Sequence, residues 1–167
     1  NSEIRENISS ALRECLDDFR LIINSLNLRD SNLTALLADF KYRISKKLNR
    51  LDVTLHWVVD DDLDHVIIQP QQSLHLLRIL QEAFTNILKH ADAKNIDCRV
   101  HCDSGLVRLT VADDGAYDSC AGQGHGVNNM NWRAGELAGV LSIEAGSEGG
   151  CVVNLAFPAE KMAVMHG

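Results

Sequence analysis

Apolar residues recur every three or four positions through residues 3–27. Ile4, Ile8, Ala11, Leu12, Cys15, Phe19, Ile22, Ile23 and Leu26 share one face, the spacing of an amphipathic helix. At 1.5 Å rise per residue such a helix is roughly 35 Å long, more than the edge of a small domain covers. Its stripe therefore calls for a partner, either a second helix of the same protein or a second subunit. The segment 27–32 (NLRDSN) breaks the pattern with turn formers, and Ser31 or Asn32 can cap the next helix. That second helix is predicted to about Leu48, with Leu33, Leu36, Leu37, Phe40 and Ile44 as its apolar set. Its end is basic, through Lys41, Arg43, Lys46, Lys47 and Arg50, as suits a helix C-terminus.

Residues 53–59 (VTLHWVV) read as a strand, the acidic run 60–64 as a loop, and 71–91 as a third helix. Strands at 96–102 and 106–112 are joined by a tight Asp103-Ser104-Gly105 turn. Residues 113–126 lack periodicity and hold Gly115, Gly122, Gly124 and Gly126. A helix at 127–138 and strands at 140–145 and 151–157 complete the chain's pattern. Helices interleaved with hairpin-joined strands predict an α/β (α+β) two-layer sandwich on a mixed, mostly antiparallel sheet, with the long helix in front. A doubly wound parallel sheet fits poorly, because strands 96–102 and 106–112 are too close for a crossover.

Composition narrows the picture further. The 167 residues suffice for one domain, and a 46% hydrophobic share can bury a full core. A net charge of −7 argues against binding nucleic acid, whose partners are basic. A small anion is still compatible, since backbone N–H groups supply local positive potential. No run approaches the ~18 apolar residues of a membrane span, and no signal-peptide pattern opens the chain. The five cysteines (15, 98, 102, 120, 151) are odd in number and form no CxxC pair. They read as small hydrophobes of a soluble chain in a reducing cytoplasm.

Three constellations carry candidate chemistry. On a helical wheel, Leu77, Leu80, Phe84, Ile87, Leu88 and Ala91 face the sheet, while Glu82, Asn86 and Lys89 lie opposite. This face is either solvated, with an ordinary polar pair, or a site where a carboxylate and a carboxamide one turn apart present oxygens to Mg²⁺. Lys89 or His90 would then reach phosphates. Asp113-Asp114-Gly115 directly follows a strand. It is either a hairpin turn, which needs a second strand that 116–124 does not offer, or a buried carboxylate able to accept a hydrogen bond from an amino group. Gly122-Gln123-Gly124-His125-Gly126 precedes a helix. It is either a flexible loop or a place where backbone N–H groups meet a phosphate. It is neither a Walker A loop nor a Rossmann fingerprint.

The order QEAFTNILKHADA (81–93), VADDG (111–115), GQGHGVNNMNWRAGELAGVLSI (122–143) and GGCVVNLAFP (149–158) resembles the catalytic ATP-binding domain of sensor histidine kinases. This is the Bergerat fold of the GHKL superfamily, and the resemblance is nearest to the two-component kinases that include nitrate and membrane-lipid sensors. It covers residues 33–158. The first helix resembles the second helix of the dimerisation and phosphotransfer region. The implied layout is 1–29 as that partial helix, 30–160 as the catalytic domain and 161–167 as a tail.

The resemblance implies ATP and Mg²⁺ as ligands. Glu82 would polarise the phosphoryl-transfer centre and, through water, attend the metal that Asn86 ligates. Lys89 and His90 would lie near the phosphates. Asp113 would accept the adenine amino hydrogen, with Gly115 letting the base approach and Cys151 near the adenine pocket. Gly122, Gly124, His125 and Gly126 would belong to a mobile ATP lid over 114–126. The implied partners are ATP or ADP, the phosphoacceptor helix of the same kinase in a homodimer, and a response regulator. The implied location is cytoplasmic, including the cytoplasmic part of a membrane-bound sensor.

Three positions depart from the family pattern: Tyr117 and Asn129 where glycines are usual, and Cys151 where a threonine is usual. They bear on nucleotide affinity more than on fold. None of the seven histidines (56, 65, 75, 90, 101, 125, 166) has the phosphoacceptor context, so the chain is expected to be a piece of a longer kinase that does not autophosphorylate alone. Two other readings are a degenerate domain serving as a binding or dimerisation module, and an anti-sigma serine kinase of the same superfamily. The long first helix argues against the latter.

Overall fold

The computed structural model describes residues 2–27, 32–116 and 125–161. Helices α1 (Ser2–Asn27) and α2 (Leu33–Asn49) are followed by strand β1 (Thr54–Val59). A 3-10 turn (Asp61–His65) and the two-residue strand β2 (Val66–Ile67) lead to helix α3 (Pro70–His90). Strands β3 (Asn95–Asp103) and β4 (Leu106–Asp113) precede helix α4 (His125–Glu136), and β5 (Val140–Ala145), β6 (Cys151–Pro158) and β7 (Glu160–Lys161) come after it.

Local chemistry explains the boundaries. Asn32 caps α2, its Oδ1 accepting the N–H of Thr34 at 2.7 Å and of Ala35 at 3.4 Å. Pro70 opens α3, and the Gln72 side chain accepts the Gln69 N–H at 3.0 Å. The β3–β4 hairpin turns through positive φ at Ser104 and Gly105, the signature of a type I′ turn.

Five strands form one sheet in the order β1-β3-β4-β6-β5. The β1–β3 pair is parallel and the other pairs antiparallel, in agreement with the predicted mixed, mostly antiparallel sheet. Alternate residues of the central strands, including Val107, Leu109 and Val111 of β4 and Val153, Leu155 and Phe157 of β6, enter one buried cluster. Leu36, Leu37 and Phe40 of α2 and Leu77, Leu80 and Phe84 of α3 complete that cluster from the helical layer. Phe40 bridges the layers, with its ring centroid 6.2 Å from Trp57 and 5.6 Å from Phe84.

Two features differ from the sequence expectation. The acidic run is not a plain loop but a 3-10 turn, and β2 pairs antiparallel with β7 in a separate two-stranded sheet. Two-residue strands have no periodicity to read, so pairing alone defines them. Among the described residues no helix is long and apolar enough to cross a membrane.

Helix α1 packs against α3, yet Ile4, Ile8, Leu12, Leu16 and Phe19 are all more than half exposed. The stripe has not folded back onto its own domain. A chain lacking residues 1–27 is expected to sediment as a monomer at concentrations where the intact chain self-associates. Identical sedimentation of the two would show that the stripe is no interface.

Candidate functional site

Strand period puts Val107, Leu109, Val111 and Asp113 on the same buried face of β4. The last of these is a carboxylate where an apolar side chain would ordinarily sit, and Asp113 is only 7% exposed. Its Oδ1 accepts the Gly115 N–H at 2.8 Å and its Oδ2 accepts the Cys151 N–H at 3.2 Å. Burial pushes the carboxyl above the usual aspartate range, the two backbone donors pull it partly back, and the charge of Asp114 pushes it up further.

The adjacent Asp114 turns outward and does something different. Its carboxylate accepts the Asn95 Nδ2 at 2.7 Å and the backbone N–H groups of Lys94 and Asn95 at 2.8 and 2.9 Å. The Asn95 side-chain and backbone donors hold it below the ordinary range. Asp114 therefore pins the end of β4 to the connection between α3 and β3. The expectation that the mobile lid starts at residue 114 is corrected here, because these hydrogen bonds fix Asp114 to the body of the domain.

Glycines let the elements meet around Asp113. A Cβ on Gly115 would lie 2.1 Å from the Ala91 carbonyl oxygen, so this glycine lets the strand end pass the C-terminus of α3. That packing reason is distinct from the approach of a base. Gly149 and Gly150 both have positive φ, and a Cβ on Gly150 would lie 1.8 Å from the Asp113 carbonyl oxygen.

Helix α3 contributes Asn86, Ala83 and Ile87 to a cleft whose floor holds Asp113 and Cys151, with Val127 and Met130 of α4 on its other wall. Of the two readings of the Glu82–Asn86–Lys89 face, the solvated one does not hold for its first two residues. Glu82 and Asn86 are half-buried because α4 packs across α3. Gly126 sits against Glu82, and a Cβ there would lie 2.1 Å from Glu82 Oε1. Lys89 is exposed and, with Glu82, lines a neighbouring recess of about 230 Å³ between the two helices. His90 ends α3, exposed, and lines neither hollow.

His125 and Gly126 form the first turn of α4 rather than part of a loop. Gly122, Gly124 and Tyr117 lie outside the described residues. The expectation of five reduced cysteines is also corrected, because Cys151 is disulfide-bonded. Cys15, Cys98 and Cys102 are free thiols, and burial raises the Cys98 thiol to about 12, leaving it inert. An odd count without a CxxC pair cannot show which thiols the fold brings together.

The cleft's chemistry is one buried acceptor among apolar walls, with a carboxamide at the side. Its volume is about 20 Å³, room for roughly one water. Among the described residues no three His, Cys, Asp or Glu side chains cluster as a metal site. A cation beside Asn86 would take its remaining ligands from water and phosphates, which suits Mg²⁺.

The fold and this cleft define an α/β two-layer domain with a buried carboxylate at the end of a central strand, and comparison with known proteins identifies the kind. Residues 71–161 match the family of histidine kinase-, DNA gyrase B- and HSP90-like ATPases. The chain belongs to that family. It is 29% identical over 161 residues to the sensor histidine kinase YxjM of Bacillus subtilis, covering 95% of this chain and 38% of that protein. The sensor histidine kinase LnrJ of the same organism is 31% identical over 147 residues, covering 87% and 35%. The chain thus spans under two fifths of the length of either relative. Among solved structures, the histidine kinase domain of the Erythrobacter litoralis EL346 blue-light activated kinase superposes with a TM-score of 0.66 at 20% identity, covering 85% of this chain and 71% of that one.

Proposed function

We propose that this chain is the ATP-binding catalytic part of a sensor histidine kinase, which transfers the γ-phosphoryl group of ATP to a histidine on a phosphoacceptor helix outside these residues. Asp113 carries the reading: a buried carboxylate, held by two backbone N–H groups, faces an apolar cleft and can accept the exocyclic amino hydrogen of adenine. A guanine carbonyl at that position would meet an acceptor, so the cleft selects ATP over GTP. Asn86 would ligate Mg²⁺, with Glu82 one turn away attending it through water. Bound there, the cation supplies neutralisation of phosphate charge.

Glu82, half-buried against Gly126, would polarise the attacking imidazole. Lys89 and His90 at the outer end of α3 would lie near the phosphates, and residues 117–124, between the pinned end of β4 and the first turn of α4, would close over the nucleotide. Residues 1–29 would belong to the dimerisation helix, 30–160 to the catalytic domain and 161–167 to a tail. The homodimer would form through the α1 stripe, a response regulator would receive the phosphoryl group, and the whole would lie in the cytoplasm.

Calorimetric titration with Mg²⁺-ATP and Mg²⁺-GTP tests the reading, and binding of ATP alone is expected. Asn86 is half-buried in the cleft, so Asn86→Ala should change stability by less than about 1 kcal/mol. It should nevertheless abolish transfer to a supplied phosphoacceptor domain. Intact transfer by that variant would remove Asn86 from the metal site. The narrow cleft favours one second reading, a domain without tight ATP affinity that serves as a dimerisation module. Absence of heat with either nucleotide would select it.

A further inference from the structure

Asp113 sits where the sheet stops supporting its own strand. Ile96 of β3 is its ladder partner, whereas the pairing of β4 with β6 ends one residue earlier, at Ala112 and Val152. The next residues have left the β3 ladder as well, and Gly115 brings no side chain to restrict its own backbone. A carboxylate on an unsupported strand end could tilt, and hydrogen bonds weaken steeply as their angle closes.

Side-chain and loop hydrogen bonds take over at this point. Strand alternation turns Asp114 away from the cleft, and it is exposed and absent from the cleft's lining. Its Oδ1 accepts the N–H groups of Lys94 and Asn95 at 2.8 and 2.9 Å, and its Oδ2 accepts Asn95 Nδ2 at 2.7 Å. The Asp114 N–H donates to the Asn95 carbonyl at 3.3 Å, and the Ala116 N–H donates to the Ala91 carbonyl at 2.8 Å. The end of β4 is thereby tied to residues 91–95, which directly follow α3 and open β3.

We infer that Asp114, with Asn95 as its partner, is a positioning residue for nucleotide recognition: it clamps the end of β4 and so aims the Asp113 carboxylate at the adenine amino group. This assignment rests on reading the cleft as an ATP site. The clamp acts through geometry rather than charge. One oxygen receives both main-chain N–H groups, and the amide oxygen of an asparagine would do the same. The Asn95 carboxamide can turn to meet the new amide nitrogen. Alanine would release the strand end, yet the freed donors are exposed and water would satisfy them, so the fold should survive.

The test is calorimetric titration of the whole chain with Mg²⁺-ATP and Mg²⁺-ADP, with thermal melts alongside. Wild type is compared with Asp114→Ala, Asp114→Asn, Asp113→Asn and the double variant Asp113→Asn/Asp114→Ala. Asp114→Ala is expected to weaken ATP and ADP alike by about tenfold, the loss of one well-aimed hydrogen bond to the base. Asp114→Asn should stay within about threefold of wild type, a rescue that conserved geometry alone explains. In the double variant the second substitution should add little, because both losses pass through one carboxylate. Wild-type affinity in Asp114→Ala, an equal loss in Asp114→Asn, or losses that add in the double variant would each overturn the assignment. Should the melts show Asp114→Ala unfolded, Asn95→Ala must weaken both nucleotides about threefold, and its failure to do so counts equally against the proposal. Wild-type protein binding neither nucleotide would instead strike the ATP reading itself.

Discussion

Asp113→Asn is expected to lower ATP affinity by about ten- to hundredfold, because a charge-assisted hydrogen bond worth roughly 1.5–3 kcal/mol becomes a neutral one or is lost. Stability should move little, for reasons that oppose each other. Burial raises the Asp113 pKa above its unfolded value, so folding favours the protonated carboxyl. Its contribution to stability is complete below the ordinary aspartate pKa and is lost as pH rises through the raised folded value. At neutral pH the ionised side chain thus costs stability, and asparagine removes that cost. Asparagine also keeps an acceptor for Gly115 but loses the second oxygen now facing Cys151. Melts at neutral pH should therefore agree within a few degrees while the titrations diverge. Wild-type ATP affinity should also weaken as pH falls toward the raised pKa. A variant that binds ATP as tightly as wild type would remove Asp113 from adenine recognition.

Gly150→Ala should damage the fold itself. Position 150 has φ +72°, and its Cβ would lie 1.8 Å from the Asp113 carbonyl oxygen and 2.9 Å from Asp113 Oδ1. The left-handed conformation costs about 1–2 kcal/mol for a residue with a Cβ, and the steric displacement about 1–3 more. At roughly 2–4 °C per kcal/mol for a domain of this size, the melting temperature should fall by about 5–15 °C. Because the displaced strand end carries Asp113, nucleotide affinity should fall with it. An unchanged melting temperature would mean that the turn between β5 and β6 relaxes freely.

The helical and sheet layers were legible because burial imposes periods on the chain. Leu77, Leu80 and Phe84 recur at helical spacing, and Val107, Leu109 and Val111 alternate, so their faces follow from geometry alone. Asp113 was legible as a candidate because it directly follows a strand with no second strand after it to make a hairpin; that the strand period buries it with Val111 appeared once β4 was seen to run to residue 113. The turn at Ser104-Gly105 and the cap at Asn32 rest on local backbone chemistry and needed no long-range partner.

Contacts between distant segments decided the rest. Helical periodicity distinguishes two faces of α3 but not three surroundings, so it left the Glu82–Asn86 side either solvated or a site, and only the packing of α4 across α3 shows it half-buried. Gly115, Gly126 and Gly150 are required by Ala91, Glu82 and Asp113, respectively, and none of these clashes is visible from spacing. The pairing of β2 with β7, and the gathering of Arg78, Lys89 and Arg133 with Glu82 around one recess between α3 and α4, likewise join residues far apart in the chain. Local pattern sets which face a residue takes, because that depends only on backbone period. The surroundings of that face depend on how the elements pack, and here that packing sets the chemistry of the site.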